Sequence, residues 1–150
     1  MIEQHEGRHN KVYKDSLGIP TIGIGYNLRN STAKKDLSQV GANLNDVLRG
    51  KELTNKQVND LFKISLDRSL QDAKIYYPGF NELPETAKGI LVDMSFNLGL
   101  NKLRGFKDLK KALHVSNYDK AADAMVDSKW YKQVKSRGVR LVNMMRGLSR

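Results

Sequence analysis

The stretch that decides the fold is Glu6-Gly7, followed by Val12-Tyr13-Lys14-Asp15-Ser16-Leu17-Gly18 and Thr21-Ile22-Gly23-Ile24-Gly25-Tyr26. Asp15 opens and Gly18 closes a segment of turn composition. Pro20 excludes the middle of a helix. The run from Thr21 to Tyr26 alternates bulky and small residues at the period of a strand, and glycine at every second place leaves one face bare for close approach of backbone or ligand. Residues 11–28 therefore read as a small antiparallel hairpin or three-stranded sheet. Residues 1–7 read as the end of a short helix anchored by Ile2, with Gly7 placed to terminate it.

Outward from this segment the signals turn helical. Ser31-Thr32 can cap a helix to about Val40, where Gly41 can end it, and Asn43 to Leu48 makes another short turn. Thr54-Asn55-Lys56-Gln57 has the capping-box pattern. Behind it Val58, Leu61, Phe62, Leu66, Leu70 and Ala73 hold helical spacing over residues 55–75, a helix about 30 Å long. Tyr76-Tyr77-Pro78-Gly79 stops it. Pro84-Glu85 opens a more apolar helix carrying Ile90, Leu91, Met94 and Leu98, and Gly99 and Gly105 bracket a loop. Helical patterns recur at 106–114, 118–128, 129–134 and 137–147. The expected architecture is α+β and mostly helical. An N-terminal lobe (8–54) carries the sheet, residues 55–75 connect, and a larger helical lobe takes 76–150 together with the helix of residues 1–7.

Composition limits what such a chain can do. It has 150 residues, one ordinary domain's worth, and no cysteine, so no disulfide or Cys-based zinc site is expected. Three histidines offer little for another metal, and neither metal nor organic cofactor is expected. The longest apolar runs are too short to span a membrane, and the N-terminus lacks a secretory signal, which points to the cytoplasm of the producing cell. The net charge of +10 is unevenly spread. Residues 1–50 carry 7 basic and 5 acidic groups, residues 51–100 carry 6 and 7, and residues 101–150 carry 13 and 4. A basic last third attracts polyanions: nucleic acid, anionic membrane or an acidic wall polymer.

The candidate chemistry lies elsewhere, in the near-neutral first third. Glu6 at a helix end meets the negative end of the peptide dipoles, a setting suited to a general acid. Asp15 at a solvated turn suits a base, and the Thr21 hydroxyl can hold a water against it. Two carboxyls in contrasting settings are what glycoside hydrolysis requires. Each residue also has a plainer reading: a surface Glu, an Asp that hydrogen-bonds its own turn, a Thr of ordinary strand propensity. Thr21-Ile22-Gly23-Ile24-Gly25 lacks the Lys-Ser/Thr of a phosphate loop.

With these residues in place the sequence resembles the phage-type lysozymes, the muramidases of tailed bacteriophages. The likeness continues through Phe96-Asn97-Leu98-Gly99, Gly105-Phe106, Ala121-Ala122, Ser128-Lys129-Trp130-Tyr131-Lys132-Gln133, Arg137 and Arg140. The resemblance implies a cleft between the lobes and hydrolysis, with inversion, of the β-1,4 bond between N-acetylmuramic acid and N-acetylglucosamine in peptidoglycan. It implies Glu6 as acid, Asp15 as base for the attacking water and Thr21 as the residue positioning that water. It places Arg137 beside the acid, Phe96, Asn97, Asn27 and Leu109 at sugar contacts, and Trp130 in a structural position. It implies peptidoglycan and the anionic wall as partners of a monomer, release from the host cytoplasm through a holin, and no nucleic-acid partner. Two features depart from the family pattern: Glu6 has about one helical turn less before it, and Tyr26 stands where many relatives carry His. The competing readings are a non-catalytic basic module that binds wall or nucleic acid, and a chitin or chitosan hydrolase on the same fold.

Overall fold

A computed structural model describes residues 2–149, so the terminal residues 1 and 150 of the ranges expected above lie outside it. The chain is α+β and mostly helical. It divides into two compact units, with the boundary between Arg68 and Ser69. Each unit has its own hydrophobic core.

The first unit opens with α1 (Ile2–Glu6), ended by Gly7, whose φ of +75° no side chain favours and whose N–H bonds the Glu3 carbonyl at 2.8 Å. Three antiparallel strands follow: β1 (His9–Lys14), β2 (Pro20–Gly23) and β3 (Tyr26–Asn27), in the order β1-β2-β3. Tyr13 pairs with Thr21, and Thr21 in turn with Asn27. The alternating run Thr21–Tyr26 is thus two strands. Gly23 and Gly25 both take φ of +67°, so the chain reverses at Ile24 where the alternation alone suggests one continuous strand.

Helix α2 (Ala33–Gln39) follows, but Ser31-Thr32 provides no side-chain cap. The Thr32 hydroxyl instead donates to the Asp36 carboxylate at 3.0 Å. Asn43 caps α3 (Leu44–Leu48) by accepting from the Asp46 N–H. Helix α4 (Asn55–Tyr76) begins with the expected capping box, Gln57 N–H to Thr54 Oγ1 at 3.1 Å and Thr54 N–H to Gln57 Oε1 at 2.9 Å. The first core collects Ile22 and Tyr26 from the sheet and Ile24 and Leu28 from the turns beside it, with Leu37, Val47, Val58 and Leu61 from the helices.

One buried carboxylate ties these elements together. Asp36 is 1% exposed. It receives two hydrogen bonds from Arg68 of α4 at 2.9 and 3.0 Å, one from the Tyr26 phenol at 2.6 Å and one from Thr32. Burial opposes its charge, but the donors outweigh burial and hold its pKa below the ordinary 3.8.

The second unit contains the remainder of α4, a 3-10 turn at Phe80–Glu82, and α5 (Glu85–Leu98), which starts behind Pro84 as expected. Gly99 at φ +78° breaks α5, and α6 (Leu100–Leu103) forms where the bracketing glycines suggest a loop, anchored by the fully buried Leu103. Then come α7 (Lys107–His114), α8 (Tyr118–Val126), α9 (Lys129–Val134) and α10 (Ser136–Gly147). Helix α8 stops two residues before its expected end because Ser128 leaves it: its Oγ donates to the Met125 carbonyl and accepts from Tyr131 N–H, capping α9. The second core gathers Ile90, Leu91 and Met94 of α5 with Leu109, Met125, Trp130, Leu141 and Met145.

The Asp36 cluster makes stability depend on pH at both ends. Asp36 has a depressed folded pKa, so its contribution is present above the unfolded value and is lost as pH falls through the folded one. The Tyr26 phenol is raised to about 12, first by burial and then by Asp36, so its contribution is full below pH 10.0 and is lost as pH rises through about 12. Urea unfolding of Tyr26→Phe at neutral pH is expected to show a loss of about 1.5–3 kcal/mol, the worth of a hydrogen bond to a buried charge. The same variant should lack the Tyr26 share of the alkaline decline.

Candidate active site

Glu6, Asp15 and Thr21 all belong to the first unit, and the small sheet positions them. Glu6 is the last residue of α1, half-buried, and its carboxyl lies against the β2–β3 turn. A Cβ built on Gly25 would stand 2.6 Å from Glu6 Cδ and 2.8 Å from its Cγ, so only glycine admits the carboxyl there. The bare face suggested by the alternating glycines is thus occupied at residue 25 by the candidate acid.

Asp15 follows β1 and holds the turn to β2. Its Oδ1 accepts the N–H groups of Leu17 and Ile19, both at 2.9 Å, while its carbonyl accepts the Gly18 N–H at 2.9 Å. The turn-forming role is therefore real, but it engages one carboxylate oxygen. Oδ2 is left as the oxygen to meet a water or a proton. Thr21 is 4% exposed, and its hydroxyl donates to the Ile19 carbonyl at 2.8 Å. With its proton committed, Thr21 can only accept from a further partner. Asn27 lies across the ladder from Thr21, and its Oδ1 accepts the Arg29 N–H at 2.8 Å.

Tyr13 joins this group although no candidate role is assigned to it from the sequence. It is the register partner of Thr21 and sits two residues before Asp15, and its ring lies 4.0 Å from that of His9. Its phenol is pushed up by burial first, then by the negative charges of Glu6 and Asp15. The signal in the sequence is the i, i+2 spacing of Tyr13 on β1 and Asp15 just after it.

The other candidates lie in the second unit. Phe96 and Asn97 are near the end of α5, half-buried and exposed respectively. Leu109 is 0% exposed, a core residue with no free surface for a sugar. Trp130 is buried with its ring edge-to-face against Phe106, 6.2 Å between centroids, in keeping with a structural position. Arg137 of α10 is buried, and its Nε donates to the Asp93 carboxylate at 2.8 Å. Asp93, fully buried on an apolar helix, is a partner the hydrophobic pattern of α5 conceals. Among the described residues no group of three or more His, Asp or Glu is gathered as a metal site would need.

Comparison with known proteins gives the same direction. The model of the phage lysozyme family matches residues 3–150. The chain is 28% identical over 94% of its length to the pre-baseplate central spike protein Gp5 of Enterobacteria phage T4, of which it spans only 26%. It is 25% identical to the probable T4-type lysozyme 1 of Dictyostelium discoideum, with 97% of this chain and 91% of that protein covered. It is 31% identical to the endolysin of Salmonella phage P22 over 83% of this chain and 75% of that one.

The contact between Gly25 and Glu6 has a spectroscopic consequence. Gly25→Ala is expected to displace the Glu6 carboxyl from the turn and weaken its contribution to raising the Tyr13 phenol. NMR titration of labelled tyrosine is expected to show the Tyr13 pKa moving down toward 10.0. Gly18→Ala is the control. Gly18 has a similar φ of +77° with nothing within 4 Å, so it should incur the left-handed backbone cost of about 1–2 kcal/mol and leave Tyr13 where it is.

Proposed function

The chain belongs to the phage lysozyme family, and from that premise we propose that it is an endolysin-type muramidase. It hydrolyses the β-1,4 bond between N-acetylmuramic acid and N-acetylglucosamine in peptidoglycan. The observation that carries this reading is the grouping of Glu6, Asp15 and Thr21 around one small sheet: Glu6 ends α1 with its carboxyl seated on Gly25, Asp15 holds the β1–β2 turn, and Thr21 on β2 pairs with Tyr13.

Glu6 gives a proton to the leaving glycosidic oxygen. A water then needs its lone pair turned to the anomeric carbon. Thr21 has spent its own proton on the Ile19 carbonyl, so it accepts one hydrogen from that water, and Asp15 Oδ2 accepts the other. A water that donates twice in this way keeps a lone pair for attack. As the new bond forms, its proton passes to Asp15. Attack from the face opposite the leaving group inverts the anomeric carbon, so the first product is the α anomer. Asn27, beside Thr21, and Phe96 and Asn97 are proposed sugar contacts, while Leu109 serves from the core. The cationic last third draws the enzyme to the anionic wall. The chain acts as a monomer, released from the host cytoplasm through a holin.

Turbidity clearing of peptidoglycan suspensions tests the acid. Folded Glu6→Gln is expected to lose activity by at least about 10²-fold, and undiminished clearing would remove Glu6 from the role. Asp15 has two jobs that substitutions separate. Asp15→Asn keeps an oxygen for the turn N–H groups and should fold with near-parental stability yet lose about 10²-fold or more in rate. Asp15→Ala should lose the rate and also about 1–2 kcal/mol of stability. Equal loss of stability in both variants would show that the carboxylate charge, not its hydrogen-bond geometry, holds the turn.

A further inference from the structure

The second unit contains a pocket of about 900 Å³ remote in sequence from Glu6, Asp15 and Thr21 and unused by the chemistry above. One wall is cationic: Arg104, Lys107, Lys110, Lys111 and His114. The rest is the end of α4 and the turn after it, Ile75 through Gly79, with Val115 at the rim. No carboxylate lines it, and none of the five basic side chains has an ion-pair partner among the described residues.

Three features of this pocket are unfavourable for the protein alone. Lys107 and Lys111 sit at i, i+4 on α7, where like charges repel, and Lys110 lies on the same side at i+3 from Lys107. Leu109, Ala112 and Leu113 of the same helix are buried, so Lys107, Lys110 and Lys111 crowd onto the face that lines the pocket. Beside that face Ile75 and Val115 are 54% and 69% exposed, far more than aliphatic side chains usually are. A ligand that offsets all three must be anionic at one end and apolar at the other. A polyphosphate or a charged glycan answers the cations and leaves Ile75 and Val115 in water. Nucleic acid would stack on open aromatic faces, and Tyr76 and Tyr77 are both buried, with the Tyr76 hydroxyl bonded to the Phe106 carbonyl.

We propose that this pocket docks the second unit on an anionic phospholipid membrane. Lys107, Lys110, Lys111 and Arg104 meet lipid phosphates, while Ile75 and Val115 enter the boundary between headgroups and acyl chains. The lysine stems cover apolar surface as their ammonium groups reach the phosphates. The proposal concerns adhesion to a lipid surface and is independent of the glycosidase reading.

Co-sedimentation of the full chain with vesicles tests it. Phosphatidylcholine vesicles containing phosphatidylglycerol should bind the protein, and pure phosphatidylcholine should not. Lys107→Ala with Lys111→Ala should weaken binding by about tenfold or more. Lys129→Ala with Lys132→Ala removes the same charge from α9 and should weaken it several-fold less. Ile75→Ser, which changes no charge, should also weaken binding, and soluble glycerol phosphate should not compete. The proposal is overturned if both lysine pairs weaken binding equally, if Ile75→Ser has no effect, if glycerol phosphate displaces the vesicles, or if duplex DNA binds the pocket more tightly than the vesicles do. Circular dichroism of each variant confirms that a loss of binding is not a loss of fold.

Discussion

The Asp36 carboxylate is the fixed point of the first unit. A buried charge without partners is intolerable, so once the chain places Asp36 inside, Tyr26, Thr32 and Arg68 must all come to it. These donors lie on β3, on the turn before α2 and on α4. Satisfying one carboxylate therefore specifies where three segments meet. Hydrophobic burial supplies most of the driving force for that core, but apolar contacts tolerate sliding. The polar cluster does not, and it fixes the sheet against α4 in one register. Tyr26, which departs from the residue common in the family, is thereby given a structural reason: its phenol completes the coordination of Asp36.

The site is built on that fixed sheet by backbone geometry more than by side-chain packing. Gly23 and Gly25 reverse the chain so that Tyr26 can reach Asp36 on one side, and Gly25 leaves room for Glu6 on the other. Asp15 stabilises its own turn with one oxygen and has the other to offer. Thr21 is held by the same Ile19 residue whose N–H bonds Asp15, so Asp15 and Thr21 share an anchor. The turn against which α1 rests limits where its last side chain can lie.

Most helices were legible because their ends carry local signals. The Thr54–Gln57 capping box, Pro84 before α5 and the glycines at 7, 41 and 99 act within a few residues, and the sequence shows them directly. The errors came where a local signal had a distant competitor. Thr32 looks like a helix cap, but Asp36 claims its hydroxyl. The run from Thr21 to Tyr26 alternates like one strand, yet two left-handed glycines fold it in half. The stretch after Gly99 lacks strong helical periodicity, and α6 forms because burial of Leu103 organises it. Glu6, Asp15 and Thr21 could be proposed as a group from the sequence only with the family resemblance, since each alone also fits a plainer role. Asp36 and Asp93 could not be picked out, because Arg68 and Arg137, which give them their meaning, lie far along the chain, and Tyr13 shows in the sequence only its spacing from Asp15.

Helix α4 supplies Val58 and Leu61 to one core and Ala73 and Tyr76 to the other. Midway, the Ser65 hydroxyl bonds back to the carbonyls of Leu61 and Phe62, and the division between units falls three residues later. Cooperativity between the two cores thus has a covalent carrier. Melting either core releases half of a helix whose other half is still ordered, and the surviving half lowers the nucleation cost of winding it again. The 22 residues of α4 give the chain a folding template that neither core has to build alone.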